Sequence, residues 1–344
     1  MSSLLELCEK LVKQGYNKKR RKNMPSIVTH HLFAEEVYNH LSTETQNKIK
    51  PAYSIYQIFA QSFDNLFYYK FFTPWQGRKI RSLGNTAQKT NTDTYFKNLI
   101  TYIKQNNFMD NPDLLAYLYG SINHYVLDYN CHPFVYYYTG DPKLNKKYRG
   151  LHEKLEVNMD AYMLKKLRAK DLKKENLADI LLPVLRFNTY LKQGIDYTFK
   201  TTFNTCNMGK IYEKSYQTGH TIIKYFVTDH FGIKKQIYGI VDLFIPFSKR
   251  RYKNLSFYIT KIIFEYTNEQ HETWYNPWSL KPSNLSFYEL FKQAQTIAIN
   301  LIESIEAYFQ DKISDQELTN ILKDYSYTTG LSWHINTPIK KLKR

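Results

Sequence analysis

The feature that most limits the fold of this 344-residue chain is a set of histidines and acidic residues that recur at intervals of four. The first run is His124-x3-Asp128-x3-His132, and the second is His152-x3-Glu156. Residues four apart lie one turn apart on the same face of an α-helix. Both runs therefore predict helices that direct two or more of these side chains toward one point.

Apolar residues follow the same helical period in several other segments. The clearest stripes are Leu32, Phe33, Val37 and Leu41; Phe96, Leu99, Ile100 and Ile103; and Leu114, Leu115, Leu118 and Ile122. Helix starts are indicated by Asn91 with Thr92, by Asn111-Pro112, and by two Ser-x-x-Glu capping boxes at Ser286 and Ser314. We predict an all-α fold, a multi-helix single domain over residues 24–330.

Residues 197–283 are less clear, because Thr, Tyr and Phe are dense there. Strands are an alternative around Tyr197–Asn204 and Ser256–Tyr266. We favour helices with long aromatic-rich connections and an ordered loop over Asn268–Lys281. Any β structure is expected within 197–283, and a turn is expected at His132-Pro133.

The composition excludes several classes of protein. Hydrophobic residues make up 43% and charged residues 23%, which allows a large core and argues against global disorder. No apolar run reaches about 18 residues, the length of a spanning helix, and the longest candidate, Gly239–Phe247, is interrupted by Asp242. The N-terminus has no secretory apolar region. We therefore expect a cytoplasmic protein.

The net charge of +17 is concentrated at the ends of the chain. We predict a basic extension over residues 1–23 and a basic tail over 331–344. The run Lys18–Lys22 suits phosphates of a membrane surface or of nucleic acid. We favour solvated, frayed ends, with membrane-surface contact through them as the alternative.

The histidine and acid runs also indicate a metal. Imidazole nitrogen with carboxylate oxygen is a ligand set that zinc favours, and helical bundles build metal sites from such pairs on facing helices. A single pair is more often a core histidine with an incidental neighbour. Two pairs together with His132 favour a metal site.

At these residues the sequence resembles the zinc-dependent phospholipase C family, in its bacterial branch without secretion signals. The core signature is Ser121–Phe134, which reads Ser-Ile-Asn-His-Tyr-Val-Leu-Asp-Tyr-Asn-Cys-His-Pro-Phe. The other similar segments are Met24–Phe33, Gln61–Asp64 followed by Phe67–Tyr69, Leu83–Phe96, His152–Glu156, and Asn268–Pro277 followed by Ser286-Phe287. The similarity covers about Met24 to Phe309 and leaves residues 1–23 outside.

The resemblance implies an all-α fold that binds one to three zinc ions. One zinc would be held by His132, His152 and Glu156. A second would be held by Asp64, His124 and Asp128, with Asp128 bridging to a third. His30 would bind that third ion, since His31 faces elsewhere on a helix. Asp64 would also be the catalytic general base.

One position departs from the family pattern. The second zinc normally takes a histidine where this chain has Gln88. A neutral amide oxygen is a poorer zinc ligand than imidazole or carboxylate, and Asn85 nearby is only a weak substitute. We predict that the Gln88 side chain points at Asp64, His124 and Asp128, and that zinc occupancy there is lower than at His132.

The leading functional interpretation is a zinc-dependent phosphodiesterase of phospholipase C type. Its substrate would be a phospholipid or a related phosphodiester. One alternative is a zinc-dependent nuclease, which the basic charge and the aromatic residues would suit. Another is a non-catalytic relative with one structural zinc, which Gln88 favours. The Met24–Phe33 and Asn268–Pro277 similarities favour phospholipid over nucleic acid.

Overall fold

The computed structural model describes residues 27–141, 144–145, 148, 150–180, 185–245 and 252–343. Helices dominate them. The helices of the first half are α1 (Ile27–Tyr38), α2 (Thr43–Ile49), α3 (Tyr53–Phe59), α4 (Arg78–Ala87), α5 (Thr92–Gln105), α6 (Pro112–Thr139) and α7 (Leu151–Arg168). The later ones are α8 (Leu177–Ile180), α9 (Thr189–Phe203), α10 (Met208–Ile222), α11 (Ile233–Leu243), α12 (Phe287–Phe309) and α13 (Asp315–Ile321). The predicted all-α fold is confirmed.

Shorter segments connect these helices. Single 3-10 turns lie at Lys50–Ala52, Ser62–Tyr68, Leu172–Lys174, Tyr252–Leu255 and Phe264–Tyr266, and a π-helical turn at Ile223–Val227 extends α10. Two strands of two residues each, β1 (Trp274–Tyr275) and β2 (Pro282–Ser283), pair in antiparallel fashion.

Helix α6 is the centre of the molecule. It contacts α1, α3, α7 and α12, and almost every residue from Leu114 to Tyr129 is buried. A helix that is apolar around its whole circumference belongs in the interior. The polar side chains that α6 carries, His124 and Asp128, are therefore buried with it and need partners.

The predicted helix caps are mostly confirmed. The Asn111 side chain accepts a 3.1 Å hydrogen bond from the Leu114 amide at the start of α6. Ser286 and Ser314 both form complete capping boxes, at α12 and α13. Asn91 differs: it precedes α5 in a left-handed conformation with φ 55°, and its side chain makes no cap hydrogen bond.

Residues 197–283 contain both expected and unexpected structure. The strand alternative at Tyr197–Asn204 is wrong, because α9 covers it to Phe203. Residues 256–266 form no strand either. The two short strands lie at the segment predicted as an ordered loop, within the range where β structure was expected. An isolated bridge between Tyr325 and Ser332 lies outside that range.

The predicted turn at His132-Pro133 is wrong. Helix α6 continues through Pro133 to Thr139. Proline interrupts the hydrogen bonding of a helix, but packing on several sides keeps this helix intact. His132 therefore stays on the same helical face as His124 and Asp128, one turn further along.

The C-terminal residues lie against the rest of the molecule. Trp333 Nε1 donates a 3.1 Å hydrogen bond to Asp93, and the Lys343 amide donates one of 2.8 Å to the Tyr137 carbonyl. The expectation of a frayed tail from residue 331 is therefore wrong for residues 331–343, because these contacts hold them in place. The basic extension 1–23 lies outside the described residues, and the division into domains stays a prediction.

Among the helices of the described ranges, none combines the length and the apolar character needed to cross a bilayer.

Candidate metal centre

Four elements bring the predicted site residues together. Helix α1 carries His30, and the 3-10 segment Ser62–Tyr68 carries Asp64. The second pair of elements consists of the packed helices α6 and α7. They carry the remaining candidates, which are His124, Asp128, His132, His152 and Glu156. The centre is therefore assembled around one face of α6.

The first cluster consists of His132, His152 and Glu156. One potential ligand atom from each residue lies within 4.8 Å of the others. His152 Nε2 is 2.9 Å from Glu156 Oε1, and the rings of His132 and His152 are 5.8 Å apart. The three side chains thus converge from α6 and α7 as the spacing predicts.

The second cluster consists of His30, His124 and Asp128, and its ligand atoms also lie within 4.8 Å of one another. His30 Nε2 is 3.2 Å from Asp128 Oδ1, and His124 Nε2 is 3.4 Å from Asp128 Oδ2. His31 lies near Glu35 and Arg168 instead. The preference for His30 over His31 agrees with this geometry.

Asp128 connects the two clusters. Its Oδ2 atom is 3.4 Å from His124 and 3.7 Å from Nδ1 of His132, one helical turn away on either side. Burial alone would raise the pKa of Asp128, but His132, His124 and His30 outweigh burial and hold that pKa below its ordinary value. Asp128 is therefore an anion between two groups of imidazoles.

Two histidines are oriented by backbone carbonyl groups. His124 Nδ1 lies 3.2 Å from the Ala60 carbonyl, and His132 Nδ1 donates a 2.8 Å hydrogen bond to the Tyr327 carbonyl. Because Nδ1 carries the hydrogen in each ring, Nε2 is left as the atom that can bind a metal. A histidine held in this way by a carbonyl is typical of metal ligands.

Several buried atoms at the centre lack hydrogen bonds within the described part of the chain. They are Nε2 of His124, Oδ2 of Asp128 and Oε2 of Glu156. Burial lowers the pKa of His124 to about 3, so the ring is neutral and able to act as a ligand at neutral pH. Burial also raises the pKa of Glu156 well above its ordinary value. A bound cation would satisfy these atoms and ionise Glu156, so the donor set fits a metal.

Asp64 lies at the edge of the second cluster, with Oδ2 3.9 Å from His124 Nε2. Gln88 is buried beside it, and its Nε2 donates a 2.5 Å hydrogen bond to Asp64 Oδ1. The Gln88 side chain therefore points at the site, as the sequence predicts. Asn85 has a buried Oδ1 atom, but no contact places it on Asp64.

Two residues at the centre were missed by the sequence analysis. Asp160 is fully buried on α7, and its carboxylate accepts hydrogen bonds from the amides of Ile27 and Thr29, at 3.2 and 2.7 Å. It thereby fixes the start of α1, which carries His30. The available signal was spacing, because Asp160 follows Glu156 by four residues.

Tyr327 is the other missed residue, and no sequence pattern marks it. Its side chain is fully buried, with its ring 5.6 Å from that of His124. Its carbonyl accepts from His132, while its amide donates a 3.0 Å hydrogen bond to the Gln88 carbonyl. The C-terminal segment thus contacts both clusters through one residue.

Three consecutive tyrosines, Tyr136 to Tyr138, follow His132 on α6, and Tyr136 is the one whose ring adjoins the centre. Its ring is 5.0 Å from His152 and 6.1 Å from His132. Tyr137 and Tyr138 pack against Trp274 and Phe134 instead. The His132 side chain is 21% exposed whereas that of His124 is fully buried, so the centre opens to solvent on the His132 side.

The comparison with family models agrees with this geometry. The model described as zinc dependent phospholipase C matches residues 29–239, more than half of the chain. The chain belongs to this family. In this member of the zinc-dependent phospholipase C family, the matched residues include every candidate metal ligand, from His30 to Glu156. The match ends within α11 and does not reach Tyr327. No curated protein and no solved structure gives a match to the sequence.

Proposed function

We propose that the protein is a zinc-dependent phosphodiesterase of phospholipase C type that hydrolyses a phospholipid or a related phosphodiester. The position of Asp128 carries the proposal, because its carboxylate lies between two histidine clusters within 3.7 Å of His30, His124 and His132. Asp128 would help to hold metal ions at both clusters, and adjacent metal ions would supply the stabilisation that the attacking and leaving oxygens need in a displacement at phosphorus.

The residues of the first cluster, His132, His152 and Glu156, would hold one zinc ion. His30, His124 and Asp128, with Asp64 at the edge, would hold one or two more. When bound, zinc acidifies water at the site and polarises a phosphoryl oxygen as a Lewis acid. The more exposed position of His132 makes the first cluster the side from which a substrate enters.

Asp64 is our candidate for the general base. It is largely buried, and the Gln88 amide holds its Oδ1 atom at 2.5 Å, which fixes the plane of the carboxylate. The other oxygen, Oδ2, faces the His124 side of the centre at 3.9 Å. In this orientation Asp64 would accept the proton of the attacking water.

Gln88 favours a second candidate function. It occupies the position where the family resemblance implies a histidine, and in this structure it donates a hydrogen bond to Asp64. A relative that binds zinc structurally through the first cluster, without turnover, would keep His132, His152 and Glu156 and tolerate this substitution.

Matched hydrolysis assays test the proposal. The substrates are a phosphatidylcholine analogue, bis-nitrophenyl phosphate and single-stranded DNA, each with zinc-loaded wild type and the Asp64→Asn variant. We expect wild type to hydrolyse the phospholipid analogue. The rate of hydrolysis should fall by at least about 100-fold in Asp64→Asn, which is the lower end of the range for the loss of a general base. Hydrolysis of DNA alone would support the nuclease, and no hydrolysis of any substrate would support the non-catalytic relative.

A further inference from the structure

The outward face of helix α11 is apolar. Ile233, Ile240 and Phe244 are 58%, 57% and 81% exposed, and Phe231 just before the helix is 79% exposed. The intervals of seven and four residues between Ile233, Ile240 and Phe244 place these three along one side of the helix. Large apolar side chains scattered singly on a surface are ordinary, but a continuous stripe marks a surface that binds something.

The interior contacts of α11 are polar, the reverse of an ordinary surface helix. Asp242 is buried and accepts hydrogen bonds from the amides of Tyr252 and Lys253, at 3.0 and 3.1 Å. Asp229 is also buried and accepts from the Lys235 amide at 2.9 Å. Buried carboxylates thus hold the helix at both ends with its apolar stripe facing outward.

The stripe lies in a basic region. Residues 224–245 and 252–264 contain five lysines, Lys224, Lys234, Lys235, Lys253 and Lys261. The acidic residues of the same ranges are Asp229 and Asp242, both buried. Lys224, Lys253 and Lys261 are exposed, whereas Lys234 and Lys235 are half-buried, so the exposed charged side chains of these two ranges are positive.

The same helix is linked to the metal centre. It packs on the 3-10 turn Tyr252–Leu255, whose Asn254 side chain donates a 3.0 Å hydrogen bond to the Gly150 carbonyl. Gly150 precedes α7, and His152 lies two residues further along the chain. Helix α11 is thus connected, through its inward side, to the helix that holds two of the three residues of the first cluster.

We propose that α11 docks on the surface of an anionic lipid bilayer, with its apolar stripe inserted among the lipids and the surrounding lysines at the headgroups. A stable helix with an apolar face and flanking lysines is the type of element that lies in a membrane interface. Nucleic acid fits less well, because bases stack on aromatic rings, and the stripe residues within α11 itself, Ile233 and Ile240, are aliphatic.

Vesicle flotation of the full chain tests this proposal. The vesicles contain either phosphatidylcholine alone or phosphatidylcholine with phosphatidylglycerol. Wild type is compared with one α11 variant that carries both Ile240→Asp and Phe244→Asp. The matched control is Ile335→Asp, an exposed isoleucine far along the chain at 53% exposure. We expect binding to the anionic vesicles, reduced by at least about 30-fold in the α11 variant and unchanged in the control.

Each other result overturns the proposal. Equal binding by wild type, the α11 variant and Ile335→Asp would show that α11 does not bind the lipid. Absence of wild-type binding to the anionic vesicles would show the same. Dimerisation in ultracentrifugation that the α11 variant abolishes, without vesicle binding, would show that a second copy covers the stripe. Single-stranded DNA binding lost in the same variant would indicate nucleic acid. Because flotation measures binding and not turnover, vesicle binding without hydrolysis would count against the proposed function and not against this surface.

Discussion

The carbonyl of Tyr327 accepts a 2.8 Å hydrogen bond from Nδ1 of His132, a residue 195 positions earlier in the sequence. This contact fixes the ring that opens the first cluster to solvent. It also connects the metal centre to a C-terminal segment that lies outside the family match. The segment is therefore part of the support of the centre, and its integrity should affect metal binding.

Gly330 gives a direct test of that support. It has φ +64°, and a Cβ atom there would lie 2.5 Å from the Tyr129 carbonyl oxygen in α6. Gly330→Ala should displace the segment, destabilise the protein by about 1–3 kcal/mol and weaken zinc binding about 10–100-fold. Thermal unfolding and zinc competition with a chelator measure both effects.

Gly239 is the matched control for this substitution. It lies within α11, and a Cβ atom there would meet nothing within 4 Å. Gly239→Ala should raise stability by about 0.5–1 kcal/mol, because alanine favours the helix. Equal zinc affinity in Gly330→Ala and Gly239→Ala would show that the C-terminal segment does not support the centre.

Gln88→His tests the substituted ligand position. The Gln88 side chain already reaches Asp64, so a histidine there should add an imidazole to the second cluster. Zinc content and phosphodiester hydrolysis should both rise. Gln316→His, on the exposed face of α13, controls for the mere addition of a histidine. A full zinc content and brisk hydrolysis in wild type, unchanged by Gln88→His, would contradict this account of Gln88.

The hydrogen bond between Trp333 and Asp93, which holds the C-terminal segment, should stabilise the protein in a pH-dependent way. Burial tends to raise the pKa of Asp93, but hydrogen bonds from Trp333 and Lys97 outweigh burial and hold that pKa below its ordinary value. Because the folded value is depressed, the stabilisation is present above the unfolded value and is lost as pH falls through the folded pKa. The melting temperature of wild type should exceed that of Asp93→Asn at about pH 7, and the difference should shrink as pH falls below about 4, the ordinary range of an aspartate carboxyl.

A melting-temperature difference between wild type and Asp93→Asn that stays constant over this pH range would show that the Asp93 charge does not stabilise the fold. Asp110→Asn is a suitable control, since the Asp110 side chain is 93% exposed. Its stability effect should be small at every pH.

The sequence predicts best where the information is local. The Asn111 cap and the capping boxes of Ser286 and Ser314 involve residues three apart, and all are present. The shared face of His152 and Glu156 was predictable because four-residue spacing fixes a helical face, and their convergence with His132 was implied by the family resemblance.

The errors arise where tertiary packing overrides a local rule. Pro133 indicated a turn, but α6 is packed on several sides and continues. Tyr327 could not be found, because its role rests on a backbone carbonyl, which every residue has. Within the apolar run Gly239–Phe247, the sequence alone does not indicate that Ile240 and Phe244 are exposed while Asp242 is buried.

The change in melting temperature on removal of one ligand of the first cluster tests whether zinc stabilises the fold. His152→Ala removes an imidazole 2.9 Å from Glu156 and leaves that buried carboxyl without this partner. A bound metal stabilises only the folded chain, so the variant should melt at a lower temperature and should respond less to a chelator than wild type does. An identical melting temperature of wild type with and without chelator would contradict a structural contribution from zinc.

The central claim is that His132, His152 and Glu156 form a zinc site. Elemental analysis of protein purified without added metal tests it most directly. We predict about one tightly held zinc per wild-type chain, with further zinc retained at lower occupancy by the second cluster, and loss of the tight zinc in Glu156→Gln. Wild-type protein without zinc, or a zinc content that Glu156→Gln leaves unchanged, would contradict it.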